Sequence, residues 1–438
     1  MAQFRTDTSR YLNNCNTIFE VVMLADPYGN RIGPANPSGM AVDAFGRARV
    51  TTPLTLFDSS HRYRDNGEWA TSNTAGTSYA FSQNEGLVRL NVKTGANQEV
   101  IRETKKIFSY QPGKSLQVLN TFVMAPAKTG LRQRVGYFGS NNGIYLEQSN
   151  SDIYFVERSW VNGSLSETRV RQADWNVDTL LGAANSSPSH RTLDLTKAQI
   201  LFTDIEWLGL GSVRCGFVID GQLIHCHSFH HANLIDSTYM TTASLPLRYE
   251  IKNTAATSSN STLKQVCSSV ISEGGYELRG TQQSIALAIT SPRDLPTANT
   301  AYPVMSIQLK AIPNRLDAIV IPTAISMYGI GNNARFRYQV VLGGTLTGAS
   351  WVSAGSDSAV EYDISATAIT GGVARTSGYF SSTTQSASPV DALREALFRF
   401  QLERNGLTNT PIPLTLVVTS AVNGDDVLVS MDWEEISR

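Results

Sequence analysis

The feature that most constrains this chain is an Asp-Gly dipeptide set between two short alternating runs, in "VRCGFVIDGQLIHCHSF" (213–229). Asp-Gly between runs rich in β-branched and aromatic residues predicts a two-residue hairpin, because that turn needs positive φ at both central positions. Similar runs, each bounded by Gly, Asn, Asp, Ser or Pro, recur along the chain. Strands are expected at 87–93, 117–125, 134–139, 144–148, 152–157, 199–206, 212–219, 222–228, 247–252 and 264–272. Their number fits a jelly-roll-like double sheet. No short-period repeat points to a solenoid or propeller.

The hairpin also decides how to read "LIHCHSFHHAN" (223–233), which holds four of the six histidines. With Asp220–Gly221 as the turn, pairing runs Val218 with Leu223, Phe217 with Ile224, Gly216 with His225, Cys215 with Cys226 and Arg214 with His227. Alternation then sends Cys215, Phe217, Ile219, Ile224 and Cys226 to the core face. His225 and His227 fall on the outer face beside Arg214, apart from Cys226. A tetrahedral site lacks its carboxylate or thiolate there, so no metal is expected. The expected thiols are reduced. Whether the His225 and His227 face meets solvent, a neighbouring subunit or an ion shared with one stays open.

Three regions follow from the pattern. Residues 1–75 carry frequent Pro and Gly and little periodicity, yet hold apolar side chains too numerous for a free tail. They read as an extended arm that orders against its own chain or a neighbour, through Phe45, Arg47, Arg49, Leu54, Phe57 and Trp69. Residues 76–290 read as the first β-sandwich. The stretch 291–303 reads as a linker, and 300–438 as a second β-sandwich domain. The second domain holds one helix, 389–404, with Ser388 as cap, Pro389 in the first turn and an apolar stripe of Leu393, Ala396, Leu397 and Phe400. The expected fold class is thus all-β: an arm followed by two sandwiches.

Charge narrows the partners. The 438 residues carry 36 Lys and Arg against 37 Asp and Glu, for a net charge of −1. Such a chain generates no field that would draw it to nucleic acid or an anionic membrane. No apolar run reaches the length of a membrane span, and no export signal is expected from the first residues. Charged residues make up only 17%, and Ser, Thr, Asn and Gln take their place, which suits a chain built into an assembly.

Candidate chemistry is sparse. "GIGNNA" (329–334) has the spacing of a dinucleotide loop, but "RFRYQVVL" follows as a strand where that loop needs a helix. Glu147, Asp152, Glu157, Asp204 and Glu206 are the carboxylates from which a glycosidase-like pair would have to come. Trp160 and Trp207, with Trp175, are the candidate platforms for a sugar. No nucleophile elbow occurs. The chain reads as non-enzymatic and without a cofactor.

Three segments carry a resemblance. "VDAFGRARVTTPLTLFDSSHRYRDNGEW" (42–69) resembles an N-terminal motif of virion structural proteins of tailed phages, notably those of aquatic bacteria. Residues 151–182 and 193–253 resemble the β domain that follows it. The resemblance implies a particle protein assembled in the host cytoplasm, with other capsid or tail proteins as partners. Within that class the expectation is a capsid decoration or cement protein, with a trimer as the favoured homo-oligomer. The alternative is a tail fibre or baseplate component with a lectin-like, receptor-binding sandwich, whose partner would be a host-surface glycan.

Overall fold

Two antiparallel sheets face each other in the N-terminal half of the body. The computed structural model describes residues 8–12, 18–22, 52–183, 186–275, 280–331, 334–382 and 401–437. By internal contacts the chain divides into a unit Met1–Pro53 and a unit Leu54–Arg438. In the first unit, Thr8–Leu12 pairs antiparallel with Ile18–Val22. Phe45, Arg47 and Arg49 lie outside the described residues.

The first sheet of the sandwich runs, in spatial order, Ser166–Arg171, Asp152–Ser159, Gly143–Ser149, Leu131–Phe138, Leu247–Asn253, Glu99–Thr104 and Trp69–Asn73. The second runs Gln222–Phe229, Val213–Ile219, Gln199–Ile205, Ser115–Val123, Ser261–Glu273, Leu87–Val92 and Thr77–Ser82, and Pro53–Ser60 also pairs with Ser261–Glu273. Alternating residues from both sheets, including Val135, Tyr137, Phe155, Phe217 and Tyr249, fill one core, as two facing sheets require.

The sandwich therefore starts earlier than the sequence suggested. Phe57 and Trp69 are buried members of its core. Trp69 meets Phe57 edge-on at 6.2 Å and Tyr249 at 5.6 Å, and its Nε1 donates to Ser59 Oγ at 2.9 Å. The surface these two arm residues order against is their own chain. Leu54 stays at the rim, 36% exposed. The strands Pro53–Ser60, Trp69–Asn73 and Glu99–Thr104 escaped the pattern because Pro, Asp, Ser, Asn or charged residues interrupt their apolar alternation.

The second domain also starts earlier. Thr281–Ala286 and Arg293–Leu295 both pair with the long strand Asp425–Ser437, as does Ile319–Ile330. The expected linker 291–303 is thus part of this domain. Its other sheet runs Val352–Ser353, Val360–Asp363, Ala301–Leu309, Leu414–Ser420, Arg335–Leu342 and Val373–Ser381. Trp433 is fully buried between the sheets. Its Nε1 donates to Glu435 Oε1 at 2.9 Å, and Glu435 also accepts from Ser358 Oγ and the Ala359 N–H. The helix expected at 389–404 lies mostly outside the described residues; its last positions, Glu403 and Arg404, belong to a strand, Glu403–Asn405, paired with Thr410–Ile412.

This small hairpin joins the domains. Leu402 belongs to the second core, and its N–H donates to Val320 O at 2.9 Å. Gln401 bonds Ser109 of the sandwich. Gly406 packs so closely on the Glu103 carboxylate that any side chain there would collide with it. Glu103 is 1% exposed, and neither of its oxygens has a hydrogen-bond partner among the described residues. Burial pushes its pKa up to about 7, against the opposing pull of Arg248, 3.5 Å away, and of Arg404.

Two outcomes follow from this packing. Trp69→Ala is expected to lower unfolding stability by about 3–5 kcal/mol, the usual cost of deleting a large buried aromatic; a denaturant midpoint within error of wild type would mean that residues 53–73 are not part of the core. For Glu103, the folded pKa lies above the ordinary carboxylate value. Its contribution is therefore full below pH 4.5 and is lost as pH rises through about 7. That loss amounts to about 3 kcal/mol. The stability of Glu103→Gln should fall less steeply across that window, and two parallel pH–stability curves would refute the assignment.

Candidate functional site

The Asp220–Gly221 turn forms as expected, with φ of +53° and +73°, the left-handed pair that a tight hairpin turn needs. Pairing follows the expected ladder from Ile219–Gln222 to Gly216–His225. It then breaks: the register shifts between Cys215 and Gly216, so that Cys215 faces His227 and Arg214 faces Ser228. This corrects the expected Cys215–Cys226 and Arg214–His227 pairs. Cys226 is the extra residue of a β-bulge, which reverses the faces beyond it. The loop 176–178 occupies the strand's open edge. Val177 and Asp178 N–H both donate to Cys226 O at 3.0 Å, and Asn176 exchanges two hydrogen bonds with Ser228.

The four histidines consequently go four ways. His227, expected outward, is buried against Phe155 and Phe229. Burial pushes its pKa down to about 4, and its Nδ1 accepts the Asn176 N–H at 3.3 Å. His225 remains half-buried on the other face, with Nε2 at 2.9 Å from Ser228 Oγ. His230 Nδ1 lies 3.2 Å from Ser212 Oγ. His231 donates from Nδ1 to Gly211 O at 2.6 Å and from Nε2 to Glu157 Oε2 at 2.7 Å, and stacks on Tyr239. Burial opposes its charge, but the Glu157 carboxylate outweighs burial and holds His231 above its ordinary pKa. Among the described residues no three His, Cys, Asp or Glu side chains are arranged to hold a metal ion. Cys215, Cys226 and Cys267 are free thiols.

The candidate carboxylates are dispersed. Glu157 points into the core toward His231. Glu147 lies on the opposite face of the same sheet, where it takes Arg134 Nε at 2.6 Å and also pairs with Arg169. Asp152 pairs with Arg171. Only Asp204 and Glu206 share a hollow, of about 370 Å³, with Glu273 at its wall. Asp204 accepts from Ser115 Oγ at 2.6 Å and pairs with Arg214. Burial, with Asp204 nearby, raises the pKa of Glu273. Sequence reasoning missed Glu273, which ends a correctly expected strand.

The tryptophans separate as well. Trp175 is buried and stacks on Phe155 at 4.3 Å, so it offers no platform. Trp160 is 37% exposed on a turn. Trp207 is half-buried and stands edge-on to Tyr110 at 5.9 Å. Together they wall a cleft of about 210 Å³ between the sandwich and the second domain. The sandwich side adds Pro112 and residues 241–244, and the second domain adds Asn314, Arg315 and Asp317. Four segments, around 110–112, 207, 241–244 and 314–319, build this cleft, so no local pattern announces it. In "GIGNNA", Gly329 lies within the strand Ile319–Ile330 and Ala334 precedes the strand Arg335–Leu342, so a strand and not a helix follows the glycines.

No family model and no curated protein matches the chain. Solved structures align with about half of it. A β-glucanase of Bacillus licheniformis is 12% identical over 49% of this chain and 96% of its own, with a TM-score of 0.32. A legume lectin-like domain from Entamoeba histolytica is 11% identical over 51% and 99%, at 0.30. The CBM2 module of the evolved Dit of Lactobacillus casei BL23 phage J-1 is 6% identical over 52% and 100%, at 0.33. The likeness is loose, and function has to be argued from the chain's own residues.

Proposed function

We propose that this chain is a non-enzymatic structural protein of a tailed-phage particle, a two-domain β body attached to neighbouring subunits through its N-terminal unit. The observation that carries the reading is the division at Pro53, which separates a short leading unit from a body of two packed domains. The resemblance of residues 42–69, 151–182 and 193–253 to such proteins supports it. So does the charged face of the first sheet. There Glu147 and Glu250 are each engaged by arginines, and Glu167 takes Arg158 and the Tyr145 hydroxyl. Side chains locked in this way brace a scaffold and leave little freedom for proton transfer.

The second domain adds a contact surface. Val373–Ser381 is the outer strand of its sheet, nine residues long. Tyr379 and Val373 project from it, 80% and 55% exposed. An end strand that projects apolar side chains suits lateral contact with another subunit. Within the particle we favour a decoration or cement role on the capsid, as a trimer. A tail fibre or baseplate component that binds a receptor is the second reading, favoured by the Trp207 cleft.

The test is a truncation starting at Leu54. The body should keep a cooperative unfolding transition and lose attachment to particles, and light scattering of the full chain should give the mass of three copies. Wild-type attachment without residues 1–53 would remove the role assigned to the N-terminal unit. Copy number and position in electron cryo-microscopy of particles would separate capsid from tail.

A further inference from the structure

We propose that the cleft between the two domains is a binding site for a single neutral sugar ring, the terminal residue of a glycan. The assignment does not depend on where in a particle the chain sits. Its walls carry the two kinds of group that a sugar needs. Tyr110 and Trp207 meet edge-on and offer aromatic surface to the apolar face of a pyranose. Around them stand groups with bonding capacity to spare.

The Trp207 indole Nε1 is shielded and has no partner among the described residues. A buried donor left unpaired is costly, and a ligand hydroxyl admitted beside it relieves that cost. Asp317 receives both of its bonds, from Arg404 Nε at 3.1 Å and Nη2 at 3.0 Å, on Oδ1. Among the described residues Oδ2 is left as an acceptor on a side chain already fixed in place. Asn314 uses Oδ1 for the Leu316 N–H, which leaves its amide nitrogen to donate. Arg315 adds a guanidinium. Fixed polar groups converging on an aromatic wall define a specific small-ligand site.

Size and charge narrow the ligand. The volume, about 210 Å³, is below the roughly 300–1,000 Å³ of sites for larger ligands. It suits one ring and not an extended chain. Asp317 is already matched by Arg404, and Arg315 presents the remaining charge of the lining, so an amino sugar is disfavoured and a polyhydroxylated ring takes Arg315 as a donor. Asp317 is the lone carboxylate of the lining. Cleavage by two carboxylates has no second partner there, and the site would bind without hydrolysing.

The experiment is saturation-transfer NMR of the full chain with the methyl glycosides of glucose, galactose, mannose, rhamnose and N-acetylglucosamine. At least one should bind with millimolar affinity. Trp207→Phe keeps the aromatic packing on Tyr110 and removes the N–H, and Arg315→Ala removes the guanidinium. Each should weaken binding about tenfold, the effect of one lost directed hydrogen bond. Trp160→Ala, on a turn outside the cleft, should change nothing. Absence of binding by every glycoside at high millimolar concentration would overturn the proposal. So would binding that is unchanged in both cleft variants or that disappears with Trp160.

Discussion

The guanidinium of Arg102 ties the first domain together. It is 1% exposed. Its Nε donates to Gln265 Oε1 on the facing sheet at 2.6 Å, Nη1 to Thr71 Oγ1 at 2.8 Å, and Nη2 to Asp65 Oδ1 at 2.5 Å. One cation thus joins both sheets and the segment leading into them, and its Cζ lies 5.7 Å from the Trp69 ring centroid. Burial lowers its pKa, and the Asp65 carboxylate works against that loss. Removing a partner from such a group leaves a charge stranded in an apolar core, which costs more than the pair contributes. The segment 53–73 belongs to the sandwich for this reason as much as for its apolar residues.

The same ion chemistry covers the outer face of the first sheet. Arg132, Arg134 and Arg248 converge on Glu250 at 2.9, 3.5 and 3.0 Å. Burial opposes ionisation there, yet the arginines hold the Glu250 pKa down to about 2. The rings of Phe138 and Tyr145 lie among the guanidinium groups. A face built in this way stays rigid without a second apolar layer over it. It also explains how a chain of modest charge content concentrates its charge where it orders structure.

Legibility in the sequence tracked how local each determinant was. The Asp220–Gly221 hairpin and the long central strands were readable, because turn chemistry and alternation act over a few residues. Glu99–Thr104 was not, because Glu99 and Glu103 place charge on its outward side and its inward Arg102 interrupts the apolar alternation. The bulge at Cys226 was hidden too, since what stabilises it is a loop some fifty residues upstream bonding the strand edge. That single insertion turned His227 inward and undid the expected histidine face. The early start of the second domain was missed because Thr281–Ala286 is a polar edge strand whose partner is the last strand of the chain.

The cleft is the furthest consequence of these non-local contacts. Asp317 can serve as a wall only because Arg404 fixes its carboxylate, and Arg404 is held in the hairpin 403–412. Gly406 of that hairpin in turn rests on Glu103 of the sandwich. The position of one wall relative to Trp207 is therefore set by that contact. A ligand that bridges both walls would bind the joined arrangement better than a loosened one. Cleft occupancy and domain contact are in this way a single equilibrium, written in residues that no one segment of the sequence contains.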